Sequence, residues 1–284
     1  MIASIVLLDE FIRWLREDAP FGDYTSDILF EDNFDVKAYI VARSRGVLAC
    51  IEEISNILSN FNVETIERKR SGETIENGDV VARFRGPVKS ILTTERTMLN
   101  LLMYLSGVAT TTRMFVETVR KVNPRVRIAA TRKVMPGLRY LVKKAVKIGG
   151  GDTHRFSLSD AVLIKDNHVK LMGSIRKAVE LARRRASFVH KIEVETSSAE
   201  EALEAALAGA DIVMLDNVSP REVERFVDML REHNLRDRVI VEVSGGITLE
   251  NVVDYARAGP DVISTSQITM RPHIVDMSLE VERE

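Results

Sequence analysis

The rhythm of apolar positions changes twice along the chain. Over Ile5 to Arg16 they recur three and four apart, with Leu8, Phe11, Ile12 and Leu15 on one face, which predicts an amphipathic helix. Pro20 stops it, and Phe21-Gly22-Asp23 reads as a turn. From Phe34 to Val88 short β-like runs take over: VKAYIVA, VLACI, VETIERK, DVVARF and PVKSIL. Asn77-Gly78-Asp79 and Arg85-Gly86-Pro87 punctuate them, and a helix over Glu52 to Ser59 lies between. This half reads as an α+β unit with much antiparallel pairing. A long helix follows from Thr93 to Val122. Gly107 costs it about 1 kcal/mol, so a break or close packing is expected near Ser106-Gly107.

From Arg127 onward strand-like and helical runs alternate. The strands are predicted over 127–131, 161–167, 191–196, 211–217, 239–246 and 261–267, and the helices over 137–148, 174–185, 198–208, 220–231 and 249–258. Thr196-Ser197-Ser198, Ser219-Pro220 and Thr248 supply helix starts. Six strands with five intervening helices predict a parallel α/β domain.

Charge sharpens this picture in one place. Net charge is -2, yet Arg125 to His168 carries 10 Lys and Arg against 3 acidic residues. Such a local excess suits a focused site for a small anion. It does not suit a nucleic-acid track, which makes a whole domain basic. No apolar run approaches the roughly 18 residues of a transmembrane helix, and the amphipathic N-terminus does not read as a secretory signal, so a cytoplasmic protein is expected. Cys50 stands alone and reads as a small buried hydrophobe. Lys143, Lys144 and Lys147 read as a solvated helix face, as does the Arg183–Arg185 triplet.

All six predicted strands end in polar residues: Thr131-Arg132-Lys133, Lys165-Asp166-Asn167-His168, Glu195, Asp216-Asn217, Ser244-Gly245-Gly246 and Thr265-Ser266. In α/β barrels the loops at the carboxyl ends of the strands build the active site, and the last two strands commonly hold a phosphate. Ser244-Gly245-Gly246-Ile247 before a helix start suits that task through backbone amides and the helix dipole. His168 and Asn217 are weighed as structural partners of their neighbours. Glu193 shares a face with Glu195 but lies deeper, as a supporting charge or a member of a barrel-interior ion pair.

These residues bring a family into view. EDAPFGDYTSD (17–27), ERTMLNLLMYLSGVAT (95–110), TRKVMPGLR, GGGDTHRFSLSD, LIKDNH, EVE, MLDN and SGGI occur in order along nearly the whole chain. The chain thereby resembles nicotinate-nucleotide pyrophosphorylase (carboxylating), or quinolinate phosphoribosyltransferase, a type II phosphoribosyltransferase. The resemblance implies an open parallel α/β barrel of six to seven strands over 107–269. It implies an N-terminal α+β sandwich-like domain over 1–106, joined by 270–284. It also implies transfer of phosphoribosyl from 5-phosphoribosyl-1-pyrophosphate to quinolinate with decarboxylation. By the family's pattern Arg132, His154 and Arg155 face the dicarboxylate, and Arg96 reaches it from the neighbour in a homodimer, with hexamers left open. Lys133 and Lys165 would lie between quinolinate and the pyrophosphoryl group. Glu195 and Asp216 would hold the ribose hydroxyls and Mg²⁺, and Ser244, Gly245, Gly246, Thr265 and Ser266 the 5-phosphate.

Three departures stand out. Val134 replaces a common Thr, Ser266 a common Gly, and Thr269-Met270-Arg271-Pro272 a small polar tail that is expected to lie outside the site. The alternative reading is a paralogue of the same fold, a molybdenum-transport-associated homologue that acts on another anion.

Overall fold

The computed structural model describes residues 2–282. Its elements, in chain order, are α1 (Ile2–Asp18), α2 (Tyr24–Leu29), β1 (Asp35–Ala42), β2 (Gly46–Val47), α3 (Ile51–Leu58), β3 (Glu64–Arg68), β4 (Thr74–Ile75), β5 (Val80–Pro87) and α4 (Val88–Arg120). Then come β6 (Arg127–Ala129), α5 (Arg139–Ile148), β7 (Val162–Ile164), α6 (Asp166–Met172), α7 (Ile175–Arg185), β8 (Ile192–Thr196), α8 (Ala199–Leu207), β9 (Ile212–Asp216) and α9 (Pro220–Glu232). The chain closes with β10 (Ile240–Ser244), α10 (Val252–Arg257), β11 (Val262–Ser264), α11 (Gln267–Met270) and β12 (Met277–Glu282). Among the described residues no helix is long and apolar enough to cross a membrane.

Two compact units divide the chain. The first takes the residues through Thr111, Met135–Gly149 and the tail from Pro272; the second takes Thr112–Val134 and Gly150–Arg271. The first is built on an antiparallel sheet of order β12-β1-β5-β3, so the C-terminal strand lies beside β1. Val36, Ala38 and Ile40 alternate inward along β1, and Phe11 of α1 meets Phe61 edge-on at 5.8 Å.

Three local predictions for this unit are corrected, and two others hold with added detail. PVKSIL is not a strand: Pro87 has no N–H for a ladder, β5 ends there, and Val88 opens α4. Of VLACI only Val47 is paired, because Cys50 turns into the left-handed region at φ 62 and starts α3. The turn after Pro20 leads into a short helix, since the Asp23 carboxylate accepts from the Thr25 and Ser26 amides. Of the break or close packing expected at Gly107, the structure shows close packing. A Cβ there would lie 2.5 Å from the His273 carbonyl oxygen, so the glycine admits the returning tail and the helix continues past it. The lysines of α5 do not form one solvated face. Lys143 is buried, Lys144 pairs with Glu53, and only Lys147 is exposed.

In the second unit the six predicted strands form one parallel sheet of order β6-β11-β10-β9-β8-β7. Each strand from β8 to β11 joins the preceding one, and β6 joins behind β11. This is the connectivity of an open barrel whose two end strands, β6 and β7, form no ladder with each other. One face carries Ile128, Val194, Val213, Leu215, Val241, Val243 and Ile263, all buried. Each contributes roughly 1.5–3 kcal/mol by leaving water. The sheet therefore draws its stability from the helix-covered face and can carry polar residues on the other.

Candidate active site

Register decides which side chains share that other face. Residues paired across parallel strands point to the same side. Glu195, Met214 and Glu242 lie in one row, Asp216 and Ser244 in the row beyond, and Leu163 with Glu193 in the row below. The polar strand ends thus share a single surface with two further carboxylates, Glu242 level with Glu195 and Glu193 one row below.

Lys165 follows β7, and its Nζ lies 2.5 Å from Glu195 Oε2. Asp216 is half-buried; burial pushes its carboxyl above the usual range, and the Glu195 charge pushes it further. The Asn217 hydrogen bond and the Lys165 and Lys133 charges oppose this. Asn217 Nδ2 donates to Asp216 Oδ2 at 2.7 Å, the structural partnership weighed from the sequence. His168 also serves structure, since its Nδ1 accepts the Lys165 N–H at 2.9 Å and caps α6. That helix was hidden in the sequence behind a strand drawn through Asn167.

A second cluster lies deeper. His154 sits in the left-handed region at φ 51, its N–H donating to Asp152 Oδ1 at 2.8 Å. Its Nε2 is 3.1 Å from Glu242 Oε2 and 3.5 Å from Glu193 Oε2, and both carboxylates are almost wholly buried. Burial alone would lower the imidazole pKa, but the two carboxylates outweigh it and push it up to about 10. Glu193 is raised by its own burial and by the Glu242 charge. The Arg155 N–H lies 2.6 Å from His154 Nδ1, so Nε2 is the ring nitrogen that meets the two carboxylates. Both tendencies describe one extra proton shared between His154 and Glu193, which holds the trio at a net charge of about -1 rather than -2 in a dry interior. Glu193 is thus the interior ion-pair member foreseen as one of its two roles. Glu242 was missed, although a lone acid within VIVEVS repeats the pattern of Glu193 within KIEVET.

Arg132 and Arg155 each hold a buried Nε–H with no acceptor among the described residues, and Arg155 Nη1 donates to the Ala161 carbonyl oxygen at 3.3 Å. Buried, charged donors of this kind suit an anionic ligand with oxygen acceptors. Arg96 lies on α4 with an exposed side chain, 3.9 Å from Glu95.

Beyond β10 and β11 a cavity of about 470 Å³ is lined by Thr131, Lys133, the Ser244–Thr248 loop, Thr265–Gln267, Met270 and Arg271. Gly245 (φ 87) and Gly246 (φ 62) bring backbone to its wall, and a Cβ on Gly245 would lie 2.4 Å from Asn217 Oδ1. The helix start expected at Thr248 lies at Val252 instead. Asn251 spends its side chain on the loop, accepting from the Thr248 N–H and donating to the Gly246 carbonyl oxygen, so the turn persists before α10. Any anion held here therefore meets loop amides rather than a helix end. Thr265 donates its hydroxyl to the Ile247 carbonyl oxygen at 2.9 Å, while Ser266 borders the cavity. Met270 and Arg271, expected outside the site, line it: the four-residue α11 ends at once and leaves both on the wall.

Two carboxylate groups could meet a cation. His154, Glu193 and Glu242 offer ligand atoms within 4.8 Å of one another, but the set includes a nitrogen and is buried. Mg²⁺ prefers oxygen ligands and keeps several waters, which fits Glu195 and Asp216 at the strand ends.

Residues 23–106 match the family model described as quinolinate phosphoribosyl transferase, N-terminal domain, and residues 108–280 match the C-terminal domain of the same family. The chain is 45% identical over 275 residues to a Methanothermobacter thermautotrophicus protein named "Probable nicotinate-nucleotide pyrophosphorylase (carboxylating)", covering 97% of this chain and 99% of that one. A human protein named nicotinate-nucleotide pyrophosphorylase (carboxylating) is 38% identical over 268 residues, covering 94% and 89%. Among solved structures, the nicotinate-nucleotide pyrophosphorylase from Francisella tularensis superposes with a TM-score of 0.89 at 34% identity, covering 98% of this chain and 97% of that one.

Proposed function

Because the chain belongs to the quinolinate phosphoribosyltransferase family, we propose that it transfers phosphoribosyl from 5-phosphoribosyl-1-pyrophosphate to quinolinate, releasing pyrophosphate and CO2 and forming nicotinate mononucleotide. The observation that carries this reading is the pairing of two kinds of group at the strand ends. Arg132 and Arg155 each offer a buried Nε–H unpartnered among the described residues, and Glu195 and Asp216 stand as carboxylates beside Lys165 and Lys133. A site for a dicarboxylate needs the first and a site for a ribosyl donor the second.

In this reading Arg132 and Arg155 take the two carboxylates of quinolinate as forks, which fixes ring orientation as well as charge. His154 lies beneath them on its two glutamates, and Arg96 of a second copy completes the pocket in a homodimer. Lys133 and Lys165 stand between the ring and the leaving group. Glu195 and Asp216 hold the ribose hydroxyls. They are also the oxygen ligands that would hold Mg²⁺, which when bound offsets the charge of the departing pyrophosphate. Ser244, Gly245, Gly246 and Ser266 take the 5-phosphate against the wall made by Thr265.

The ring nitrogen attacks ribose C1 as the C1–O bond to pyrophosphate breaks. The protein's share is alignment and a fixed electrostatic environment for the developing charge. The ring nitrogen, now cationic, stabilises the electron pair left on C2 when the adjacent carboxylate leaves as CO2. A solvent proton then fills that position.

The test offers the purified protein, with Mg²⁺ and 5-phosphoribosyl-1-pyrophosphate, either quinolinate or nicotinate. One CO2 and one mononucleotide per quinolinate, with no turnover of nicotinate, is the expected result. Equal use of nicotinate would overturn the dicarboxylate reading. Failure on both would favour a paralogue acting on another anion.

A further inference from the structure

The cavity beyond β10 and β11 is lined by no carboxylate, and two cations border it, Lys133 and Arg271. They differ in what else they face. Lys133 lies close enough to Asp216 to lower that carboxyl's pKa, so part of its field is already spent on the acidic strand ends. Arg271 is exposed, and among the described residues it forms no ion pair. A phosphate monoester carries close to two negative charges at neutral pH. The loop amides of Gly245 and Gly246 are neutral donors, and the Thr265 hydroxyl is engaged on Ile247.

The backbone beneath Arg271 is fixed. Its N–H donates to the Gln267 carbonyl oxygen at 3.1 Å. Thr269, two residues earlier, donates its hydroxyl to the Lys133 carbonyl oxygen at 2.7 Å, which ties α11 to the loop that carries the other cation. Pro272 follows and disfavours the helical region for Arg271, whose backbone leaves the helix at φ -139, ψ 50. The guanidinium therefore swings from a fixed base at the rim of the cavity, and only its side-chain torsions must be ordered when an anion arrives. Arg offers two parallel N–H donors that match phosphate oxygens, which a lysine does not.

We propose that Arg271 is a phosphate-binding residue of this protein, closing its fork on the 5-phosphate of the phosphoribosyl donor opposite the Gly245–Gly246 amides. The inference rests on the phosphoribosyl-transfer reading for the identity of the phosphate, and on the lining of the cavity for the residue. It also makes the Met270-Arg271-Pro272 departure functional: this chain sets a charged fork where small polar residues are usual. Side-chain charge then takes over part of what a tight glycine loop supplies where Ser266 is a glycine.

Two ligands separate the 5-phosphate from the leaving group. Ribose 5-phosphate carries only the first and pyrophosphate stands for the second. Calorimetric titration of the whole protein should show Arg271→Ala weakening ribose 5-phosphate by about 10- to 100-fold, the loss of one charge-assisted pair. Pyrophosphate affinity should stay within about twofold of wild type. Arg271→Lys, which keeps charge but not the fork, should fall between. In turnover, KM for the donor should rise and KM for quinolinate should not. Unchanged ribose 5-phosphate affinity overturns the proposal, and so does an equal loss on pyrophosphate, which would mark a general field effect. A wild-type protein that binds ribose 5-phosphate through Arg271 yet does not turn over quinolinate would defeat the quinolinate reading alone.

Discussion

At the scale of single residues the site is organised by what each charge faces. His154 has the most consequential surroundings, because two buried glutamates can be tolerated only with a proton shared among the three groups. The two carboxylates push its pKa up to about 10 from the usual imidazole value of 6.5. The raised direction sets the sign. The protonated imidazole contributes stability that is fully present below about pH 6.5, declines as pH rises, and is gone once pH passes about 10. Thermal unfolding should therefore show Tm falling between pH 7 and 10 in the wild type, with a flatter profile in Glu242→Gln. Parallel profiles would show that the cluster does not carry this dependence. The basic residues of the site were legible one by one in the sequence. Glu242 was legible only as a charge out of place in an apolar strand, and Arg271 not at all, since nothing in the order of residues shows that the chain turns back at α11.

At the scale of elements, periodicity served long runs well and short ones poorly. The parallel strands were found from alternation and length, while α2 and α6 were missed because one or two turns of helix hold too few residues to show a period. Helix α4 shows how tertiary contact overrides local preference. Gly107 lowers the helix's intrinsic stability, yet the tail at His273 needs the space a side chain would fill. Gly107→Ala should therefore destabilise the protein by about 1–2 kcal/mol, because overpacking outweighs the propensity gain of about 1 kcal/mol. Urea unfolding reads this directly, and a stabilised variant would refute the packing argument. The lysines of α5 make the same point. Three lysines on an amphipathic helix look alike in sequence, but Lys143 is buried, Lys144 meets Glu53 and Lys147 is left in water.

At the scale of the whole molecule the proposed catalyst is a pair of chains. Arg96 lies outside the unit that carries Arg132, Lys133 and Arg155, and its side chain is exposed. If each site borrows Arg96 from a neighbour, mixing inactive Arg96→Ala with inactive Lys133→Ala protein should restore about a quarter of wild-type activity. In a shared-site dimer formed at random, half the pairs are mixed and each mixed pair has one intact site. No recovery after subunit exchange, confirmed by mass, would count against a shared site.

The amino-acid order by itself determined the alternation of strand and helix, the polar cap on every parallel strand and the family. Each of these is written in local spacing and residue type, which physics reads over a few neighbours at a time. Tertiary structure alone decided the partners of the buried charges. It set His154 over Glu193 and Glu242, left Arg132 and Arg155 each with a buried Nε–H unpartnered among the described residues, withdrew Lys143 from solvent and brought Arg271 to the cavity beyond β10 and β11. The reason is that a charge's state depends on burial and on groups a few ångströms away, and for His154 one of those groups lies 88 residues away along the chain.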